Sequence, residues 1–143
     1  MPKPPYILLA DDDPEDQEML IDLLRDRLPH VAVRTVNNGR EAMNCLLECA
    51  GNELPSLIVL DYKMPEVTGA EVLQATAQHP RFRLIPKVVW STSNNSEYIE
   101  ICVRHGALKY FTKPTDMAGL AFIADSIRDI FKRAVSTSNV LSM

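Results

Sequence analysis

At 143 residues, with 46% hydrophobic and 24% charged positions, the chain suits one compact domain and is too apolar to be disordered. A formal charge of −4, with Lys and Arg scattered singly, leaves no basic footprint for nucleic acid, and no segment is long and apolar enough to read as a membrane span. The start from Met1 to Pro5 and the apolar stretch stopped at Asp11 lack the longer core and cleavage site of a secretory signal, so a cytoplasmic protein is expected.

In chain order, residues 1–5 form a short Pro-rich extension and Tyr6 to Ala10 reads as an apolar strand. A helix follows, with Asp13 at its N-cap, Pro14 at the first helical position, Asp16 three residues after the cap, and an apolar stripe of Met19, Leu20, Leu23, Leu24 and Leu28. Val31 to Val36 is a mixed strand, and a second helix starts near Asn38 and Gly39 with Ala42, Met43, Leu46 and Leu47 on one face. Leu57 to Leu60 is a third strand, and Gly69 to His79 a third helix presenting Val72, Leu73 and Thr76. Lys87 to Trp90 is a fourth strand, and the helix from Ser96 to His105 is expected to bury Ile99, Cys102 and Val103 and to stop at Gly106. Tyr110 to Thr112 closes the strands. A last helix from Asp116 to Arg133 carries Leu120, Ile123, Ala124, Ile127, Ile130 and Phe131 at i, i+3, i+4 spacing. Residues 6–133 thus form the domain, and the Ser- and Thr-rich tail of residues 134–143 is expected to fray.

Strict alternation of strand and helix implies right-handed βαβ crossovers and an α/β fold, a doubly wound parallel sheet of five strands with five helices. Ligands in such folds bind where loops leave the carboxyl ends of the strands. Those ends carry Asp11 and Asp12, Asp61, Ser91, and Lys113 followed by Pro114. Three carboxylates at one edge repel, since two unit charges about 4 Å apart cost about 4 kcal/mol at an effective dielectric of about 20. A cation is required, and oxygen-only ligands with room for phosphate point to Mg²⁺. Asp61, directly after its apolar run, can attack phosphorus in line and become an acyl phosphate, while Lys113 and the Ser91 hydroxyl neutralise equatorial phosphoryl oxygens. Taken singly, each of these residues reads equally as a solvated loop group or a helix cap; their joint placement on four strand ends carries the argument.

Other clusters carry less. Cys45, Cys49 and Cys102 form no CxxC pair, and His30, His79 and His105 are far apart, so these read as packing residues and solvated imidazoles in a reducing compartment.

The segments Ile7-Leu-Leu-Ala-Asp-Asp-Asp-Pro14, Leu57-Ile-Val-Leu-Asp-Tyr-Lys-Met-Pro65 with Gly69, Val88-Val-Trp-Ser-Thr-Ser93, and Gly106-Ala with Tyr110-Phe-Thr-Lys-Pro114 resemble the response regulator receiver domain of two-component signalling, over about residues 6–132. The resemblance implies a flavodoxin-like sheet of order 2-1-3-4-5. It implies that Asp61 is the phosphoacceptor and that Mg²⁺, or Mn²⁺ in its place, is bound by Asp12, by Asp11 through water, by Asp61 and by the backbone carbonyl of Lys63. Ser91 would be the switching hydroxyl, Tyr110 the aromatic that reports phosphorylation, and Lys113 the partner of the phosphoryl group, with a cis Lys113-Pro114 bond. The implied donor is a phosphohistidine on a histidine kinase or phosphotransfer protein, and the domain would do much of the transfer chemistry and later hydrolyse its own acyl phosphate. The ADDDPED start and short tail resemble the small regulators paired with hybrid or phytochrome-like kinases.

Departures from the family pattern are Thr115 where Phe is common after Lys-Pro, Thr92 where a smaller residue is usual, and Lys63 beside the site, which either tunes the phosphoaspartate lifetime or pairs with Glu66. No output domain is expected after residue 133, so the signal would leave by contact with an unidentified downstream protein. Tyr98 and Ile101, off the buried stripe of the fourth helix, and Phe122, off that of the fifth, form the expected partner or homodimer face with the fifth strand. A phosphohydrolase of the haloacid dehalogenase type would need an acid where Lys63 stands. A receiver-like scaffold that is never phosphorylated would usually lack an acid or the lysine, and a flavin carrier would need a glycine-rich phosphate loop that five glycines do not supply.

Overall fold

The computed structural model describes residues 4–141. Elements alternate as β1 (Tyr6–Ala10), α1 (Pro14–Arg27), β2 (Ala32–Val36), α2 (Gly39–Glu48), β3 (Leu57–Leu60), α3 (Gly69–Gln78), β4 (Lys87–Ser91), α4 (Ser96–Arg104), β5 (Lys109–Thr112) and α5 (Met117–Leu141). The five strands are parallel in the order β2-β1-β3-β4-β5, as expected for the doubly wound sheet.

The period-two alternation of side chains divides the strand residues between two cores. Ile7, Leu9, Leu57, Val59, Val88 and Trp90 pack against α1 and α5. Leu8, Ala10, Ile58, Leu60 and Val89 face the opposite way, into residues of α2, α3 and α4. Burial on both faces explains why β1, β3 and β4 are continuous apolar runs rather than alternating ones.

Helix starts follow local chemistry. Asp13 caps α1 by accepting from the Glu15 and Asp16 amides, and Pro14 occupies the first helical turn. Asn38 caps α2, and Thr68 with Glu71 forms a capping box on α3. α4 is capped at its end by His105, followed by Gly106 at φ 96°, a conformation that suits glycine.

Three residues expected on buried stripes are exposed. On α2 the covered positions are Gly39, Ala42, Cys45 and Leu46, and Leu47 lies a further 100° round the helix, 54% exposed. Val103 on α4 is 58% exposed because that short helix buries only Cys102 fully. Met19 on α1 borders an open cleft beside Trp90 and Lys113 instead of entering the core. Helix α5 runs past Arg133 to Leu141, because Val135 continues the apolar stripe and packs against the α1/α5 core.

Lys87, at the start of β4, is buried, and its ammonium donates to the Phe82 carbonyl at 3.0 Å. Burial pushes its pKa down from 10.5 to about 8. The unfolded chain therefore binds the proton more readily, so the native state is penalised below pH 8 and gains stability as pH rises from 8 towards 10.5. Lys87→Met is expected to stabilise the protein by about 1–2 kcal/mol at pH 7, with the advantage shrinking by pH 10. Urea unfolding at both pH values checks this, and a destabilised variant at pH 7 would overturn it.

Candidate functional site

The carboxyl ends of β1, β3, β4 and β5 meet at one edge, and each end is held by its neighbour. The Asp11 amide donates to the Val36 carbonyl at 3.1 Å, that of Asp61 to Ala10 at 2.9 Å, and that of Lys113 to Ser91 at 2.7 Å. The site residues therefore extend the sheet's own ladder rather than hang on free loops. Behind Asp61, α3 begins so close that a Cβ on Gly69 would press into the Asp61 carbonyl oxygen, and the Gly69 amide donates to the Tyr62 carbonyl at 2.9 Å. Only glycine permits that approach.

Asp11 is fully buried, Asp61 nearly so, and Asp12 exposed; carboxylate oxygens of the three lie within 4.8 Å of one another. The Lys113 ammonium lies 2.8 Å from Asp11 Oδ2, 2.9 Å from Asp16 Oδ2 and 3.3 Å from Asp61 Oδ2, with only 7% of its side chain exposed. It also sits 4.7 Å from the centroid of the Trp90 ring, a cation–π contact from below. Asp11 further accepts from the Asp13 amide at 2.8 Å.

Electrostatics follow from this crowding. Burial and the Asp11 charge push the Asp61 carboxyl up to about 7, although Lys113 pulls the other way. Asp11 is raised as well, by burial, against the hydrogen bonds from Lys113 and Asp13. For Lys113, burial alone would lower the pKa, but the bonds to Asp11 and Asp16 and the charges of Asp61 and Asp11 hold it above the ordinary lysine range. One ammonium does not satisfy three acids. The cluster offers hard oxygen donors to a divalent cation of the Mg²⁺ or Mn²⁺ kind.

Ser91 is buried, and its Oγ accepts from the Ser93 amide at 3.3 Å. The half-buried Tyr110 donates its hydroxyl to the Ser93 carbonyl at 2.7 Å, so the two expected switch residues are joined through Ser93.

Two expectations from sequence need correction here. No cis peptide bond occurs among the described residues; the Lys113-Pro114 bond is trans, and the ladder bond from the Lys113 amide to Ser91 holds the lysine backbone while the ammonium reaches inward. Lys63 does not pair with Glu66. The Glu66 backbone is left-handed, with φ 67°, and its carboxylate meets Arg40 at 3.4 Å, while the Lys63 ammonium lies 5.6 Å from the Tyr98 ring.

The expected partner face is brought together only in part. Phe122 is well exposed, but Tyr98 and Ile101 are half-buried, and Tyr98 stacks on Tyr62 with centroids 4.4 Å apart and planes 15° apart. Tyr98 thus belongs as much to the site as to the surface. Three contributors escaped the sequence reading: Asp16, Trp90 and Tyr62. Asp16, in the first turn of α1 behind the Asp13 cap, reads locally as a helix-start acid, and only the fold brings it to Lys113. A cleft of about 120 Å³ lined by Asp16, Met19, Trp90, Lys113, Thr115 and Leu120 opens beside them.

Residues 7–124 match the family model described as the response regulator receiver domain. The two-component response regulator ORR5 of Oryza sativa subsp. japonica is 32% identical over 124 residues, covering 86% of this chain and 88% of its own. ARR5 of Arabidopsis thaliana is 30% identical over 141 residues, covering 93% and 76%. Among solved structures, the phosphorylated cyanobacterial phytochrome response regulator RcpA superposes with a TM-score of 0.81 at 30% identity, covering 90% of this chain and 94% of RcpA. The Mn²⁺-bound response regulator Rcp1 gives 0.74 at 28% identity, covering 87% and 91%. With the matched residues spanning every strand of the sheet and the acidic edge itself, this chain belongs to the response regulator receiver domain family of two-component signalling.

Proposed function

We propose that Asp61 accepts a phosphoryl group from the phosphohistidine of a histidine kinase or phosphotransfer protein, and that the protein signals by phosphorylation-dependent contact. The observation that carries this reading is the convergence of Asp11, Asp12 and Asp61 with the Lys113 ammonium 3.3 Å from the Asp61 carboxylate. Response regulators interact with such kinases and are signalling proteins, generally not classed as enzymes. RcpA in its phosphorylated form, a cyanobacterial phytochrome response regulator, supports a phytochrome-like kinase as the donor class.

In the transfer, an Asp61 oxygen attacks phosphorus as the P–N bond to the imidazole breaks, and the imidazole takes up a proton. The product is an acyl phosphate. Lys113 holds charge on one phosphoryl oxygen and Ser91 donates to another. Asp11, Asp12, Asp61 and the Lys63 carbonyl would hold Mg²⁺ or Mn²⁺, which supplies charge neutralisation when bound; the Mn²⁺-bound form of Rcp1 supports that assignment. Attack of water on phosphorus later returns Asp61 and phosphate.

Once Ser91 turns to the phosphoryl group, its partnership with Ser93 loosens, and the Tyr110 hydroxyl held by Ser93 is freed to rotate inward. The face of α4, β5 and α5 carrying Tyr98, Ile101 and Phe122 is the proposed output surface, for a downstream protein or a second copy. Sedimentation with and without phosphodonor tests the second copy; a monomer at high concentration in both would exclude it. A cytoplasmic setting accords with three free thiols and with no helix among the described residues being long and apolar enough to cross a membrane.

The test is intact mass after incubation with a small phosphodonor, with and without Mg²⁺, beside Asp61→Asn. One phosphoryl group should appear only where Mg²⁺ and Asp61 are both present. No gain under any condition, phosphorylated kinase included, would overturn the reading. Lys63→Ala is expected to change the decay rate of the phosphorylated form by about threefold, the size of an exposed charge effect. An unchanged decay rate would remove Lys63 from that role.

A further inference from the structure

Lys113 has three carboxylate partners, and only two of them belong to the acidic edge on which the receiver reading rests. The third, Asp16, projects from the first turn of α1, its Oδ2 0.4 Å closer to the ammonium (2.9 Å) than that of Asp61 (3.3 Å). An ammonium carries three N–H donors and accepts nothing, so Asp11, Asp16 and Asp61 occupy all three. An acid in the first turn of a helix is ordinarily explained by the helix dipole alone. Here the carboxylate also touches a lysine 97 positions away whose side chain is 7% exposed, above the ring of Trp90.

We propose that Asp16 is a positioning residue for phosphoryl transfer: it keeps the Lys113 ammonium beside Asp61 when Asp11 and Asp61 turn their oxygens to a divalent cation and to the incoming phosphorus. The proposal rests on Asp61 being the acceptor. Asp11 and Asp61 each serve two masters, because oxygens that hold a cation or form the acyl phosphate no longer offer a full charge to the lysine. Asp16 stands outside the group of acids whose oxygens converge within 4.8 Å, and so keeps its lone pairs for Lys113 throughout. A lysine without such an anchor has a flexible four-carbon stem and a strongly hydrated head, both of which draw it outward. With Asp16 in place the ammonium is spanned between α1 and the strand tips, and the face of Trp90 closes it from below.

Trp90 also supplies the readout. It is the sole tryptophan in the sequence, and with the Lys113 charge 4.7 Å from its ring, its emission reports where that charge sits. Asp16→Asn, which preserves shape, should lower the maximal rate of phosphorylation by a small donor about tenfold, with half-saturating donor concentration within about twofold of wild type. Its Trp90 emission should differ from wild type before any donor is added, and Asp16→Glu should restore most of the rate. On a Lys113→Met background, Asp16→Asn should change neither the rate nor the Mg²⁺ affinity measured by emission.

A wild-type rate and emission in Asp16→Asn would overturn the proposal. So would an equal loss on both backgrounds, which marks a general field of negative charge rather than an action through Lys113. If the wild type takes up no phosphoryl group at all, the acceptor reading itself fails, while the emission arm still reports whether Asp16 fixes the lysine. Melting curves with Mg²⁺ identify any variant that does not fold; should Lys113→Met be one, Asp16→Asn and Asp16→Glu decide the matter by rate and emission.

Discussion

Lys113→Met is expected to destabilise the metal-free protein by about 3 kcal/mol at pH 8, the cost of leaving buried charges without their partner. The variant removes the one ammonium that touches Asp11, Asp16 and Asp61 together, and Asp11 has no exposure through which water could take its place. Acids in this state relieve themselves by binding protons. Asp61 already sits at about 7 with the lysine present, so without it both Asp61 and Asp11 will hold protons to higher pH. The loss should therefore be smaller at pH 5 than at pH 8. A divalent cation offers a substitute charge, so Mg²⁺ should stabilise the variant more than it stabilises wild type. Urea unfolding at the two pH values, with and without Mg²⁺, gives all four quantities. Equal stability of variant and wild type at pH 8 without metal would contradict the account.

Asp61→Asn is expected to do the opposite to stability. The folded-state pKa of Asp61 is raised from 3.8 to about 7, so an ionised Asp61 penalises the native state, and the penalty grows as pH rises through that window. Below pH 3.8 the group is protonated in both states and costs nothing; above pH 7 the full penalty is present. Asparagine keeps the shape without the charge. The variant should therefore be more stable than wild type by on the order of 2–4 kcal/mol at pH 8 without metal, and equal to it near pH 3.5. Added Mg²⁺ should narrow the difference, because it stabilises the carboxylate form and has less to gain from the amide. A variant less stable than wild type at pH 8 would show that Lys113 compensates the charge more fully than the geometry indicates.

Much of this site is legible from the chain. Apolar runs that stop abruptly at an acid or hydroxyl place Asp11, Asp12, Asp61 and Ser91 at strand tips, and parallel topology then forces those tips onto one edge. The Asp13-Pro14 start of α1 and the Gly106 stop of α4 are local signals, and local signals transfer well into structure. What was not legible depends on distant partners. Periodicity finds a helix face but not how much of it the neighbours cover, hence Leu47 and Val103 on the surface. The Ser- and Thr-rich end reads as fraying until Val135 is seen against the core. Asp16 looks like a capping-box acid, and its true partner is brought in by β5, at the far end of the sequence. Glu66 looks like a partner for Lys63 only until its left-handed backbone is known.

The stack of Tyr62 on Tyr98 joins the residue next to Asp61 to the first turn of α4, with the Lys63 ammonium over the Tyr98 ring. Flat rings in contact slide easily but separate at a cost, since separation wets both faces. Any rearrangement of the segment after Asp61 must therefore either carry α4 along as cargo or peel the two rings apart. The first outcome leaves the tyrosines mutually shielded and shifts a helix; the second uncovers two aromatic faces at once, beside Asp61 and within reach of whatever approaches it.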